Sequence, residues 1–195
     1  PYLDSAIAIA EARDLSPDCL IGGAVSPFKY REEELINQYL KMVKKHLAGA
    51  DFFIANSGWD MTKFQELVWY RDARGFDFPL IANLLIAAPG WMRAINKKRL
   101  PGVHVTDDLL AKIEEECAGP DGGFEARYRR LALQLVGIRL MGYVGIHVSG
   151  IEAYDNLIRI LELAEALAAE IADLDAWWAA WLRAHVLADG RDVDF

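Results

Sequence analysis

The sequence predicts a parallel α/β barrel of the (β/α)8 TIM-barrel type, of which this chain supplies about four β/α units. Three observations carry that prediction. Short apolar runs alternate with longer segments of helical period. Breaks such as Ser16-Pro17-Asp18, Gly49 and Gly75 separate them. Each run ends on a polar residue just ahead of the next helix, at Ser26, at Asn56, at Asn83 and at His147 with Ser149. In such barrels the strand interiors are packed core and the loops at the carboxyl ends hold the chemistry, so these positions are the first candidates for function.

In chain order, Leu3 to Arg13 is Ala-rich with helical spacing, and the run Cys19 to Val25 reads as a buried strand. From Tyr30 to Ala48, Leu35, Ile36, Tyr39, Leu40, Val43 and Leu47 follow a 3.6-residue period. Glu32 to Glu34 open this helix and Lys44, Lys45 and His46 close it, an order that suits the helix dipole. Gly49 ends it, and Asp51 to Ala55 is the next strand. Asp60 to Arg74 and Pro79 to Asn83 repeat the unit. Between Leu84 and Gly102 the pattern changes to a loop with a short basic helix, Trp91 to Arg99, an insertion placed to cover a substrate. Thr106 caps a helix to about Cys117, a Gly-Pro-Asp-Gly-Gly segment follows, and Phe124 to Met141 is a longer helix. Tyr143 to Val148 is the last strand, and Ile151 to about Ile171 closes the pattern as a helix. Residues 1–172 therefore read as the C-terminal half of a barrel, and 173–195, with Trp177, Trp178 and Trp181, as a helical extension leading out of it.

Composition narrows the function. A length of 195 residues with 53% hydrophobic content suffices for a sizeable core. The net charge of -8 is spread over several helix surfaces and no basic stripe is present, which argues against a nucleic-acid partner. Cys19 and Cys117 stand far apart without a zinc-ligand spacing, so no metal site is expected and both read as buried or half-buried thiols of a cytoplasmic protein. No apolar run approaches the roughly 20 residues that span a bilayer, so no membrane partner is expected. Four strands buried on both faces cannot close a barrel. The other half is expected from missing upstream sequence, given the start at Pro1 inside a helix, or else from a second chain or a twofold copy of this one.

The order of these motifs resembles the methylenetetrahydrofolate reductase family, over roughly residues 1–170 and in the second half of its barrel. The segment that carries the resemblance is Leu40 to Asn56, where the family has a Lys-containing helix, Ala-Gly-Ala-Asp and a strand ending in Thr-Gln. Gly22 to Lys29, Phe64 to Gly75 with Phe78 to Ile81, and Gly145 to Val148 add to it. The resemblance implies flavin-dependent reduction of 5,10-methylenetetrahydrofolate to 5-methyltetrahydrofolate in one-carbon metabolism and methionine biosynthesis, with FAD as cofactor and NAD(P)H as electron donor. It implies that Lys45 contacts the flavin phosphates, with Lys29, Gln38, Val25 and Ser26 at the cofactor, and that Asn56 and His147 contact the folate; Asn83, an amide at a strand end that needs backbone, water or ligand as partner, is a further candidate for the folate.

This chain departs from the family pattern at several of those positions. Lys29 stands where the family usually has histidine, Gln38 where it has aspartate, and Asn56 where it has a glutamine one methylene longer. After Val148, Ser149-Gly150-Ile151-Glu152-Ala153 replaces a segment that carries a substrate-contacting arginine in the family. The family's acid glutamate and its Arg-Gly-Asp motif belong to regions outside these 195 residues, so catalytic residues are not assigned. Other readings of the same residues stay open. Lys45 also suits a solvated cation at a helix end, His147 a packed core residue, and Lys97, Lys98 and Arg99 a solvated basic turn rather than a site for the anionic folate tail. The rival function is a folate-binding or methyl-transfer accessory protein without hydride transfer. A third is a scaffold that docks the next domain through Trp177 to Trp181.

Overall fold

The computed structural model describes residues 4–29, 31–98, 100 and 102–195. Among them are four strands, β1 (Gly22–Val25), β2 (Phe52–Ala55), β3 (Leu80–Leu85) and β4 (Gly145–Ser149). They pair in the order β1-β2-β3-β4, all parallel. Eight helices accompany them: α1 (Ser5–Leu15), α2 (Glu32–Leu47), α3 (Met61–Ala73), α4 (Pro89–Lys98), α5 (Asp107–Cys117), α6 (Phe124–Leu140), α7 (Tyr154–Glu170) and α8 (Leu174–Ala184). The expected start at Leu3, the helix start at Tyr30 and the basic-turn residue Arg99 lie outside the described residues.

Local chemistry accounts for the boundaries. Asp4, Asp60, Thr106 and Asp173 each accept a backbone N–H at the start of α1, α3, α5 and α8, satisfying donors that have no intrahelical partner. Arg13 at the end of α1 anchors the chain's entry into the sheet. Its guanidinium donates to the carbonyls of Pro17, Cys19 and Gly49 and pairs with Asp51 at 2.5 Å. The Asp51 carboxylate also accepts the Ile21 N–H, and these two partners, the N–H first, hold it below the usual aspartate pKa.

The strands are buried on one face. Val25, Phe53, Ala55, Leu80, Ala82 and Leu84 pack under the helices, each at most 2% exposed. On the opposite face Gly22, Ala24 and His147 are exposed, and Ile54, Ile81 and Asn83 half-buried. Burial on both faces was the expectation from the apolar runs. The observed sheet is open, with free edges at β1 and β4, and the helices pack on one of its faces. A groove of about 520 Å³, lined by Leu135, Tyr143, Ile146, Val148, Leu157 and Leu161, runs along the free edge of β4.

Helix α6 is the centre of the helical layer, buried from Arg130 to Ile138. The Trp-rich helix α8 folds back onto it. Trp177 lies over Gly137, where a Cβ would come within 2.3 Å of the indole, and its Nε1–H donates to the Leu133 carbonyl at 2.7 Å. Trp177 and Trp181 are thus part of the main core.

A second, smaller core forms above it from α4, α5, the β2–α3 loop and the chain end, with Trp59, Met92, Ile95, Leu109, Ile113, Leu187 and Val193. Buried polar residues join the two. Arg130 donates through Nε to His185 Nε2 at 2.9 Å and pairs with Glu116 at 2.6 Å, while His185 Nδ1–H donates to the Trp181 carbonyl. Cys19, expected to be at least half-buried, is exposed in the turn before β1, and Cys117 is partly buried.

Candidate functional site

The register aligns the polar residues singled out by the sequence. Asn83 pairs with His147 across β3 and β4. Continuing the Val25–Ala55 and Ala55–Ala82 pairings by one residue places Ser26 beside Asn56 and Asn56 beside Asn83. Side chains alternate along a strand, so Ser26, Asn56 and Asn83, each following a residue buried under the helices, share the uncovered face, and His147, paired with Asn83, lies on it with them. The result is one row, Ser26, Asn56, Asn83 and His147, across all four strands. Asn83 and His147 stand inside their strands rather than at the last residue, because β3 continues to Leu85 and β4 to Ser149.

The row contains no carboxylate, lysine or arginine and is rich in hydrogen-bonding groups. His147 Nδ1 lies 3.0 Å from Asn83 Oδ1, and Ser149 Oγ donates to the same oxygen at 3.3 Å. With Oδ1 acting as acceptor, Nδ1 of His147 carries the proton, its Nε2 is an acceptor, and the Asn83 NH₂ keeps both donors. At the other end of the row the insertion closes over the sheet. Gly102 is buried at φ 83°, a left-handed conformation glycine adopts freely, and a Cβ there would lie 3.1 Å from both Asn56 Nδ2 and Ser26 Oγ. Among the described residues Ser26 Oγ is buried without a hydrogen-bond partner, as is Trp59 Nε1 in the β2–α3 loop. Buried polar atoms of this kind are ordinarily satisfied, and Ser26 Oγ, beside Asn56, has a hydrogen bond left to make with water or a ligand.

Of the residues expected at a cofactor, Ser26 falls in the row, and Lys45, Val25, Lys29 and Gln38 are placed apart from it. Lys45 extends along the helix side of Gly23 and donates to the Ala24 carbonyl at 2.7 Å. That carbonyl faces away from β2, since the carbonyls of Ile21 and Val25 accept the N–H groups of Asp51 and Asn56 at the two ends of β2, so Lys45 covers the free edge of β1. A lysine on a sheet edge discourages unwanted strand addition. Burial lowers its pKa from the ordinary lysine value. Val25 turns its side chain into the helix-covered core at 2% exposure, so only its backbone is open to a ligand. Lys29 and Gln38 are half-buried.

Sequence reasoning passed over a second set at the carboxyl ends. Arg127, Tyr128, Asn156 and Glu152 line a cavity beside Gly150, between the β3–α4 and β4–α7 loops. An arginine and a tyrosine in the first turns of α6, facing the loop after the last strand, were the available signal. Among the described residues no cluster of three or more His, Cys, Asp or Glu is arranged to hold a metal ion. No helix among them is long and apolar enough to cross a membrane.

No family model matches the chain, and no curated protein matches it. Among solved structures the fold is similar to that of an uncharacterized protein from Clostridium thermocellum described as binding two copies of 5-methyl-5,6,7,8-tetrahydrofolic acid. The TM-score is 0.55 at 14% sequence identity, over 86% of this chain and 60% of that one. At that identity the likeness is one of fold.

Proposed function

We propose that this chain binds a reduced folate on the uncovered face of its sheet. The observation that carries the reading is the alignment of Ser26, Asn56, Asn83 and His147 in one row. A pterin ring presents donors and acceptors side by side along one edge. Primary amides on adjacent strands offer both kinds of group to such an edge. The described ligand of the Clostridium thermocellum protein supports the same ligand class. Calorimetric titration with 5-methyltetrahydrofolate tests the proposal: saturable binding that weakens when Asn56 is replaced by alanine is expected, and binding indifferent to that replacement refutes it.

The finer reading is a reductase of 5,10-methylenetetrahydrofolate, with FAD as cofactor and NAD(P)H as electron donor, in one-carbon metabolism and methionine biosynthesis in the cytoplasm. Lys45 keeps two N–H donors beyond its bond to Ala24, and Gln38, seven residues earlier on α2, shares its stripe. These groups fit the phosphate side of a flavin nucleotide, with Lys29 on the preceding loop. The flavin itself would supply the hydride chemistry, and the protein its orientation. In this reading a complementary half-barrel covers the free edges of β1 and β4.

The rival is a folate-binding or methyl-transfer accessory protein without hydride transfer. It is favoured by the row's composition, since no carboxylic acid stands among Ser26, Asn56, Asn83 and His147 to protonate a substrate. An absorbance scan of the purified native protein separates the two. A flavin band bleached by a nicotinamide and restored by methylenetetrahydrofolate supports the reductase, and folate binding without that band supports the accessory protein.

A further inference from the structure

We infer that the cavity beside Gly150 is an anion subsite, built by Arg127, Tyr128 and the amino end of α7, that takes a carboxylate of the ligand whose ring lies on the polar row. The inference rests on the folate reading above, since a folate carries its carboxylates on a glutamate at the end remote from the pterin.

Four features point to an anion. Arg127 spends its Nε on the Gly123 carbonyl and lies over the Phe124 ring, which fixes the guanidinium plane, while its terminal nitrogens form no ion pair among the described residues. Tyr128 is 2% exposed as a residue, but its hydroxyl is not one of the enclosed polar atoms and stands as a donor at the wall of the cavity. Both line the cavity, together with Asn156 in the first turn of α7. Helix α7 begins at Ala153 without a side-chain cap, so its first N–H groups are left for an outside acceptor, at the end of the helix that favours negative charge.

Size and position decide which part of the ligand enters. At about 90 Å³ the cavity is far smaller than the roughly 300 Å³ or more of a whole-ligand pocket. It holds one carboxylate and a water. Ile86 lines it, three residues and roughly 10 Å beyond Asn83 at about 3.3 Å per strand residue and turned to the helix-covered side, so a ligand on the row reaches the cavity around the carboxyl end of β3. The aminobenzoyl spacer between pterin and glutamate covers a distance of that order. Glu152, exposed at the same rim, is the opposing charge and tunes the site against tight anion binding.

The test compares 5-methyltetrahydrofolate with 5-methyltetrahydropteroate, which lacks the glutamate, by calorimetry on the full chain. Wild type is expected to prefer the glutamate-bearing form by about 10- to 100-fold, the range for a charge-assisted hydrogen-bonded pair. Arg127→Met abolishes the preference while pteroate affinity stays unchanged, Arg127→Lys restores part of it, and Glu152→Gln, at an exposed position, increases it. N-(4-aminobenzoyl)-glutamate alone shifts the Arg127 Nε–H resonance in the NMR spectrum. Equal affinity for the two ligands in wild type, or a preference that survives Arg127→Met, overturns the subsite and leaves the folate reading standing. Failure of both pterin ligands to bind removes the folate reading, and with it the assignment of this cavity to a folate carboxylate.

Discussion

His185 ties stability to pH in a way that one substitution isolates. Its ring is 1% exposed, donates through Nδ1 to the Trp181 carbonyl and accepts Arg130 Nε–H at Nε2. A second proton has no acceptor and would sit against a guanidinium. Burial first, and the Arg130 charge second, push its pKa down from 6.5 to about 3. Above the unfolded value the ring is neutral in both states and contributes nothing to the pH dependence. As pH falls below 6.5, the unfolded chain takes up a proton that the folded chain refuses until about 3, so stability is lost across that window. Between about pH 7.5 and 5 the loss is about 2 kcal/mol, since one pKa unit is worth about 1.4 kcal/mol.

His185→Gln keeps an acceptor for Arg130 and a donor for Trp181 but does not titrate in this range. Urea unfolding at the two pH values should show wild type losing about 2 kcal/mol more than the variant, with carboxylate contributions common to both cancelling. Identical pH dependence would refute the reasoning, because it would mean that the folded ring accepts a proton at an ordinary pH despite Arg130.

Gly137→Ala drives a methyl group into the Trp177 ring, and overpacking of this kind should cost about 1–3 kcal/mol in urea unfolding, with a blue or red shift of tryptophan emission reporting the displaced indole. Arg13→Met removes donors to three carbonyls and the partner of Asp51. Discounted for partial exposure, the cost should be about 2 kcal/mol, and the Asp51 carboxyl resonance should titrate at a higher pH than in wild type. Asn83→Ala takes the shared acceptor from His147 and Ser149 on a half-open face. It should change stability by less than about 1 kcal/mol yet weaken 5-methyltetrahydrofolate binding by about 10-fold in calorimetry.

Much of this arrangement is legible in the sequence because local rules agree there. The acidic start and basic end of α2, its apolar period and Gly49 fix a helix and the turn into β2. The polar residues ending each apolar run mark the carboxyl side of the sheet. Their alignment into a row is a matter of register, which hydrogen bonds between distant strands decide. The docking of α8 is equally non-local, since nothing near Trp177 in sequence announces that its partner is a glycine 40 residues earlier. Cys19 reads as part of a strand because apolar neighbours follow it, but the turn begun at Ser16 extends further and leaves it in solvent. The position of the Lys45 ammonium is not legible from its residue type, because it is set by the open edge of β1 through the Ala24 carbonyl. The buried Arg130 could be noticed only as a charge among the apolar positions of α6, and its partners on α5 and at the chain end are supplied by the second core.

The measurement closest to the central claim is a calorimetric titration of 5-methyltetrahydrofolate into the wild-type chain and into a variant carrying Asn56→Ala and Asn83→Ala together. If the polar row is the ligand site, wild type binds saturably and the double variant binds about 100-fold more weakly while unfolding at a similar urea concentration. Absent binding in wild type, or equal affinity in the two proteins, would contradict the assignment.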